Sequence, residues 1–406
     1  MEFSRAVDTA RMHRLKNPVQ HYDWGSHSAI PELLGEPASP NQPYAELWMG
    51  AHASAPSTVI GSGGSESLRE FIARDPRAVL GPAVAERFGN ELPFLLKVLA
   101  AAEPLSIQAH PSLAQAREGF ARENRAGLSI DARERCYRDA NHKPELICAL
   151  TPFHALNRFR EPAEIADRLS ALRASELADP IEALRRRPDR AGLADVFAQL
   201  WDLELRARLA VIERAVAWAG GAPSDPAAHW VAALARRHPG DIGVIAPLLL
   251  NTIELAPGEA MFLPAGELHS YLEGVGIEIM ANSDNVLRGG LTTKHVAVPE
   301  LLRALTFRAG PIERLRPEAS PGGNRRYATS VDEFALGVIE VRPDSAWQAP
   351  RDRGIEILLC TRGSGRIDGP DAHAVTSGNS FVVPAAAPPY TVLGDLTLYC
   401  ATAGIA

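Results

Sequence analysis

The sequence has few cysteines, no excess of positive charge and no long apolar run. Its four cysteines, Cys136, Cys148, Cys360 and Cys400, include no CxxC pair. That excludes a disulfide framework and points to free thiols in a reducing compartment. The formal charge of −7 argues against a nucleic-acid or anionic-membrane partner. No segment reaches the length of a membrane span, and Met1 to Asn17 lacks the apolar centre of a signal peptide. The expectation is a cytoplasmic monomer. Met12 is an alternative start, and residues 1–12 are expected to form a disordered tail.

What is present is an ordinary globular composition, 46% hydrophobic and 22% charged, in 406 residues. That length favours two or three domains. The pattern runs from short extended pieces to helices and back to strands. Residues 13–160 and 250–315 read as one β unit and 316–406 as a second, β-rich unit. Between them, 161–249 reads as a helical insertion, with Pro162 suited to a first turn and Leu205, Leu209, Ile212 and Val216 as an apolar stripe. A near-repeat links the two β units: Gly258 to Pro264 is echoed by Gly378 to Pro384, and Pro389 stands in the slot of His269.

The stretch Pro104-Leu105-Ser106-Ile107-Gln108-Ala109-His110-Pro111 has strand character. Period-two alternation puts Ser106, Gln108 and His110 on one side and Leu105, Ile107 and Ala109 on the other. A polar row backed by an apolar one suits the presentation of ligands into a cavity. A second strand follows in Asn141-His142-Lys143-Pro144-Glu145-Leu146-Ile147. The Gly258 segment resembles the second motif of the cupin superfamily, in which a jelly-roll strand presents a histidine, here His269, to a metal. A buried histidine alone is more often a satisfied core residue. Joined by Gln108, His110 and Glu145, it completes an N/O shell suited to one Zn²⁺ per chain.

PLSIQAHP, NHKPE, YAELWMG and the stretch from His269 to His295 together resemble the type I mannose-6-phosphate isomerases, in the same order along the chain. The resemblance covers about His13 to His295. It implies a mainly β fold of cupin jelly-roll barrels, one metal-binding and one degenerate, with an α-helical insertion. It implies zinc held by Gln108, His110, Glu145 and His269. It also implies an active site containing Trp24, Lys97, Ser106, His142, Lys143, Tyr271, Glu278, Asp284 and Arg288, and a small sugar phosphate as substrate.

Interconverting mannose 6-phosphate and fructose 6-phosphate moves a proton between C2 and C1 through an enediol. That requires a general base, for which Glu278, Asp284, His142 and Lys143 are the candidates. Burial between Ile277 and Ile279 would raise the pKa of Glu278. Arg288 either neutralises the enediolate or forms a local salt bridge with Asp284. Lys97, alone in an apolar run, must meet an anion, and the substrate phosphate with help from Ser106 is the expected one. Tyr271 shares a strand face with His269, and Trp24 is expected at the substrate. Two other readings stand beside this one: an Fe(II) cupin oxygenase built on two histidines and a glutamate, and a non-catalytic sugar-binding cupin.

Overall fold

The structure, a computed structural model, describes residues 7–61, 64–320 and 323–405. Helices between Pro162 and Leu249 gather in one block, others such as Leu68–Arg74 and Leu113–Arg125 lie between strands, and the strands form two antiparallel sheets. The first sheet has the order Leu250–Leu255, Phe153–Phe159, His269–Ala281, Phe94–Ala101, Glu46–Gly50 and Val19–Gln20. The long strand His269–Ala281 is its spine. Residues 274–281 pair with Phe94–Ala101, and 276–280 also pair with Glu145–Ala149. Residues 269–273 pair with Phe153–Phe159, and His269 also pairs with Gln108 of Ile107–Ala109.

The strand changes partners at Gly274, where φ is 127° and a Cβ would lie 2.7 Å from the Pro152 carbonyl oxygen. Only glycine takes that backbone shape without strain. Around the spine, period-two alternation sorts the side chains. Leu47, Met49, Leu96, Val98, Leu146, Ile277 and Ile279 enter the core shared with the second sheet. Trp48, Lys97, Glu145, Glu278 and Met280 take the opposite face by their cross-strand pairing.

The second sheet has the order Glu318–Ala319, Arg325–Arg326, Ala335–Val341, Thr391–Thr402, Glu356–Asp368, Ser380–Val383, His13–Lys16, Thr58–Gly61 and Gly64–Ser67. The near-repeat is visible in three dimensions. Gly258 and Gly378 have φ of 83° and 84°, and each precedes a four-residue strand, Ala260–Leu263 or Ser380–Val383. Two features depart from the sequence expectations. His13–Lys16, Thr58–Gly61 and Gly64–Ser67 join the C-terminal sheet and not the sheet of the following residues. Residues 7–12 are anchored: Val7 is buried, Arg11 meets Asp371 at 2.6 Å, and the His13 ring bonds the Asp8 carbonyl. The rest of the expected tail, residues 1–6, lies outside the described residues.

The helical block comprises Pro162–Ala171, Ala178–Arg186, Arg190–Trp201, Leu205–Gly221, Pro226–Arg237 and short turns to Leu249. Pro162 opens the first helix, where its missing N–H costs nothing. The expected stripe on Leu205–Gly221 holds only at Ile212. Leu205, Leu209 and Val216 are exposed, and Val211, Ile212, Ala215 and Ala219 are buried. Small side chains let this helix lie close to Pro226–Arg237, so the alanine-rich face wins the interior over the leucines. The block is fastened to the first sheet by Trp201, whose indole N–H donates to the Gly289 carbonyl. Asp241 adds a second tie by accepting from Leu291 N–H at 2.8 Å.

Asp225 ties two of these helices together. It accepts from the Ala227 N–H as a helix N-cap at 2.8 Å and receives Arg168 at 2.8 Å. Burial pushes its pKa up, but Arg168 and the cap bond overrule it and hold it below the usual value. A lowered folded pKa means stability that is complete above the unfolded value of about 3.9 and is lost as pH falls through the folded value. Asp225→Ala is therefore expected to destabilise the protein by roughly 1–2 kcal/mol near neutrality. The difference in urea midpoint from the parent should shrink steadily below pH ~4.

Candidate metal centre and active site

Three side chains from three separate segments converge in the interior: His110, Glu145 and His269. One donor atom from each lies within 4.8 Å of the others. Their exposures are 2%, 1% and 1%, so water does not satisfy them. His110 follows directly on the strand Ile107–Ala109, Glu145 opens Glu145–Ala149, and His269 opens the spine strand.

Each imidazole is oriented by its other nitrogen. The His110 Nδ1–H donates to the Asn285 carbonyl at 2.7 Å, and the His269 Nδ1–H donates to the Glu267 carbonyl at 3.0 Å. A carbonyl only accepts, so both protons sit on Nδ1 and both Nε2 atoms present a lone pair. Those Nε2 atoms lie 3.3 and 3.5 Å from the Glu145 oxygens, yet neither has a hydrogen-bond partner. Two orphaned, buried lone pairs facing a carboxylate are costly in a finished core. They fit a divalent cation, since ligands at about 2.0–2.1 Å from zinc stand roughly 3.3 Å from one another.

Charge balance points the same way. Lys143 reaches the Glu145 carboxylate at 2.7 Å, and the Tyr271 hydroxyl lies 3.5 Å from it. Burial pushes the Glu145 pKa up, but the Lys143 ammonium holds it well below the carboxylate range. Burial lowers the His110 pKa to about 4, so this ring is neutral at working pH and free to bind metal. Gln108 is paired directly with His269 on one side and with Arg288 of Leu287–Gly290 on the other. Directly paired residues project from the same face of a sheet, which puts Gln108, His269 and Arg288 side by side.

A second buried group lies farther along the spine. Glu278 is paired with Lys97, whose ammonium meets its carboxylate at 2.8 Å and Glu46 at 3.5 Å. Glu46 also accepts from the Trp48 indole at 2.7 Å. Burial raises the Glu278 pKa, aided by the nearby Glu145 and Glu46 charges, against the pull of Lys97. Lys97 stays protonated, because the two carboxylates overcome the cost of its burial. The anion that the sequence requires for Lys97 is thus supplied by the protein, in place of the expected substrate phosphate.

Comparison with known proteins bears on this geometry. Residues 12–162 match the family model of the phosphomannose isomerase type I catalytic domain. The chain is 42% identical over 389 residues to mannose-6-phosphate isomerase of Escherichia coli K12, covering 94% of this chain and 97% of that protein. The chain belongs to the type I phosphomannose isomerases. Mannose-6-phosphate isomerase 1 of Arabidopsis thaliana is 33% identical, over 93% of this chain and 90% of that protein. Among solved structures, the Salmonella typhimurium enzyme with fructose 6-phosphate and zinc superposes with a TM-score of 0.90 at 38% identity. It covers 97% of this chain and all of that one. Membership of this family sets aside the oxygenase and the non-catalytic binder.

The remaining expected residues divide into two groups. Tyr271, Lys143, Glu278 and Lys97 stand in the network just described. Arg288 is half-buried and makes no ion pair or hydrogen bond among the described residues; its pKa is lowered by burial and by Arg138. The alternative, a local salt bridge with Asp284, is therefore not formed. Asp284 is exposed and faces His52 at 3.4 Å, and the His52 contact lowers its pKa, which makes it a poor base. The His142 ring turns away to Glu333 at 2.7 Å, beside Asp284 in a cleft of about 870 Å³. Neither joins the converging cluster. Ser106 and Trp24 are half-buried; Trp24 stacks on Tyr22 and packs against the Tyr271 core.

Sequence reasoning did not place Glu46 or Asn285 at the site. Glu46 had one signal available, a lone acid in the run Ala45 to Gly50, and its partner Lys97 lies on the neighbouring strand. Glu145→Gln keeps the shape but removes the charge that faces both imidazoles. It is expected to lower zinc affinity by at least about a hundredfold. Competition against a chelating dye measures it, and the melting curve of the zinc-free variant checks that folding survives.

Proposed function

We propose that this protein is a zinc-dependent mannose-6-phosphate isomerase, interconverting mannose 6-phosphate and fructose 6-phosphate. The observation that carries the reading is the pair of buried, unpartnered imidazole nitrogens aimed at Glu145, in a chain of this family. His110, Glu145 and His269 would hold the zinc, with Gln108 as a fourth ligand. When bound, zinc supplies Lewis acidity toward the sugar oxygens at C1 and C2.

The chain's own residues account for the rest. Of the four candidate bases, Glu278 and Lys143 stand by the metal ligands, and Glu278 has the raised pKa that proton abstraction from carbon requires. We assign it the transfer between C2 and C1, with Lys97 and Tyr271 orienting it. Lys143 bonds Glu145 and is placed to hold a substrate hydroxyl. Arg288 supports the developing enediolate charge from the Gln108 side. The phosphate is assigned to Arg138 and Lys294, the cationic neighbours of Arg288. Burial and mutual repulsion lower the Arg288 and Lys294 pKa values, which favours an anion among them. Trp24 and Ser106 would line the sugar. A monomer in a reducing cytoplasm agrees with the four free cysteines and the acidic charge, and no helix among the described residues can cross a membrane.

The direct test is a coupled assay of mannose 6-phosphate conversion. Activity should vanish on chelation and return with Zn²⁺, and full turnover in metal-stripped protein would refute the zinc role. Arg288→Ala is expected to lower kcat by on the order of a hundredfold. Lys294→Ala should mainly raise KM, by about tenfold. Glu278→Gln should lower kcat by roughly 10²–10⁴-fold, with zinc content unchanged.

A further inference from the structure

The two loops on either side of the metal centre are joined by a compact polar clasp. Asn285 is fully buried, and its side chain is saturated. Its amide N–H₂ donates to the Asp139 carbonyl at 2.9 Å, to Asp139 Oδ1 at 3.1 Å and to the Asn141 carbonyl at 2.8 Å. Its amide oxygen accepts from the Arg138 N–H at 2.7 Å and the Asp139 N–H at 3.3 Å. Asp139 answers from the other side, accepting from the Asp284 N–H at 2.7 Å, the Ser283 hydroxyl at 2.9 Å and the Asn141 N–H at 2.8 Å.

The backbone carbonyl of the same Asn285 accepts the His110 Nδ1–H at 2.7 Å. The clasp therefore fixes the acceptor that decides which nitrogen of His110 faces Glu145. The acceptor belongs to an irregular loop, Asn282 to Val286, with no sheet ladder of its own to hold it. The Asn285 side chain and Asp139 do that work. The clasp also spans the segment leading into Lys143 and Glu145 and the one leading into Arg288.

We propose that Asp139 and Asn285 are positioning residues for the metal centre. They hold the Asn285 carbonyl against His110, keep that ring in the Nδ1–H tautomer and so set zinc affinity without touching the metal. A carbonyl partner orients a ligating imidazole only as firmly as the carbonyl itself is held. This rests on the metal reading of His110, Glu145 and His269.

The test uses the full chain with Asn285→Ala and, as a variant that preserves shape, Asp139→Asn. Zinc affinity is read by competition against a chelating dye, and folding by thermal melting. The tautomer of His110 in the zinc-free protein is read by long-range ¹H–¹⁵N spectra. The parent should show His110 as the Nδ1–H form. Both folded variants should bind zinc about 10–100-fold more weakly and show a mixture of His110 tautomers. If Asn285→Ala fails to fold, Asp139→Asn alone decides. Unchanged zinc affinity with a parental His110 spectrum in a folded variant overturns the clasp. A parent chain that takes up no zinc overturns the metal reading instead, and the tautomer spectra of the zinc-free proteins still judge the clasp.

Discussion

A carboxylate with almost no access to water is the constraint around which the site is built. Taking such an ion out of solvent costs several kcal/mol even after relaxation, so the fold must bring compensation to it. Glu145 is 1% exposed, and its partners come from distant parts of the chain: Lys143 beside it, His110 from a short strand, His269 and Tyr271 from the spine. Lys143 balances the charge and the tyrosine hydroxyl reaches it, while the imidazoles turn unprotonated nitrogens toward it. The arrangement is incomplete without a cation.

The same sheet face carries a second buried acid with the opposite tendency. Glu145 is held ionised by Lys143. Glu278 also faces a lysine, yet burial and two neighbouring carboxylates push its pKa up. Neighbouring charges, and not the carboxyl group itself, set the two acids apart. Tyr271 stands near both, and burial among these acids raises its own pKa far enough that its hydroxyl remains a donor.

Much of this was legible in local pattern. The alternation around Ile107 and Ala109 reads correctly, because a strand has only two sides and the apolar one must go inward. The turn at Gly258 and its echo at Gly378 are legible for a similar reason, since both require a left-handed backbone. What escaped depends on partners far away in sequence. Nothing near Lys97 announces that Glu278 will be its cross-strand neighbour, so an external anion was the natural guess. Nothing near His142 announces Glu333. The stripe of Leu205, Leu209 and Val216 has helical spacing, but spacing cannot say which side a neighbouring helix will press against.

The strand His13–Lys16 lies between Ser380–Val383 and Thr58–Gly61, so the beginning of the chain is sewn into the sheet made by its end. Pairing of these two strands closes a very long loop of chain, and contacts of that range are slow to form in folding. Until then one edge of His13–Lys16 stands open, a template for pairing with another chain. Closure of the C-terminal sheet thus doubles as protection, since Ser380–Val383 covers an edge that the early strand cannot cover by itself.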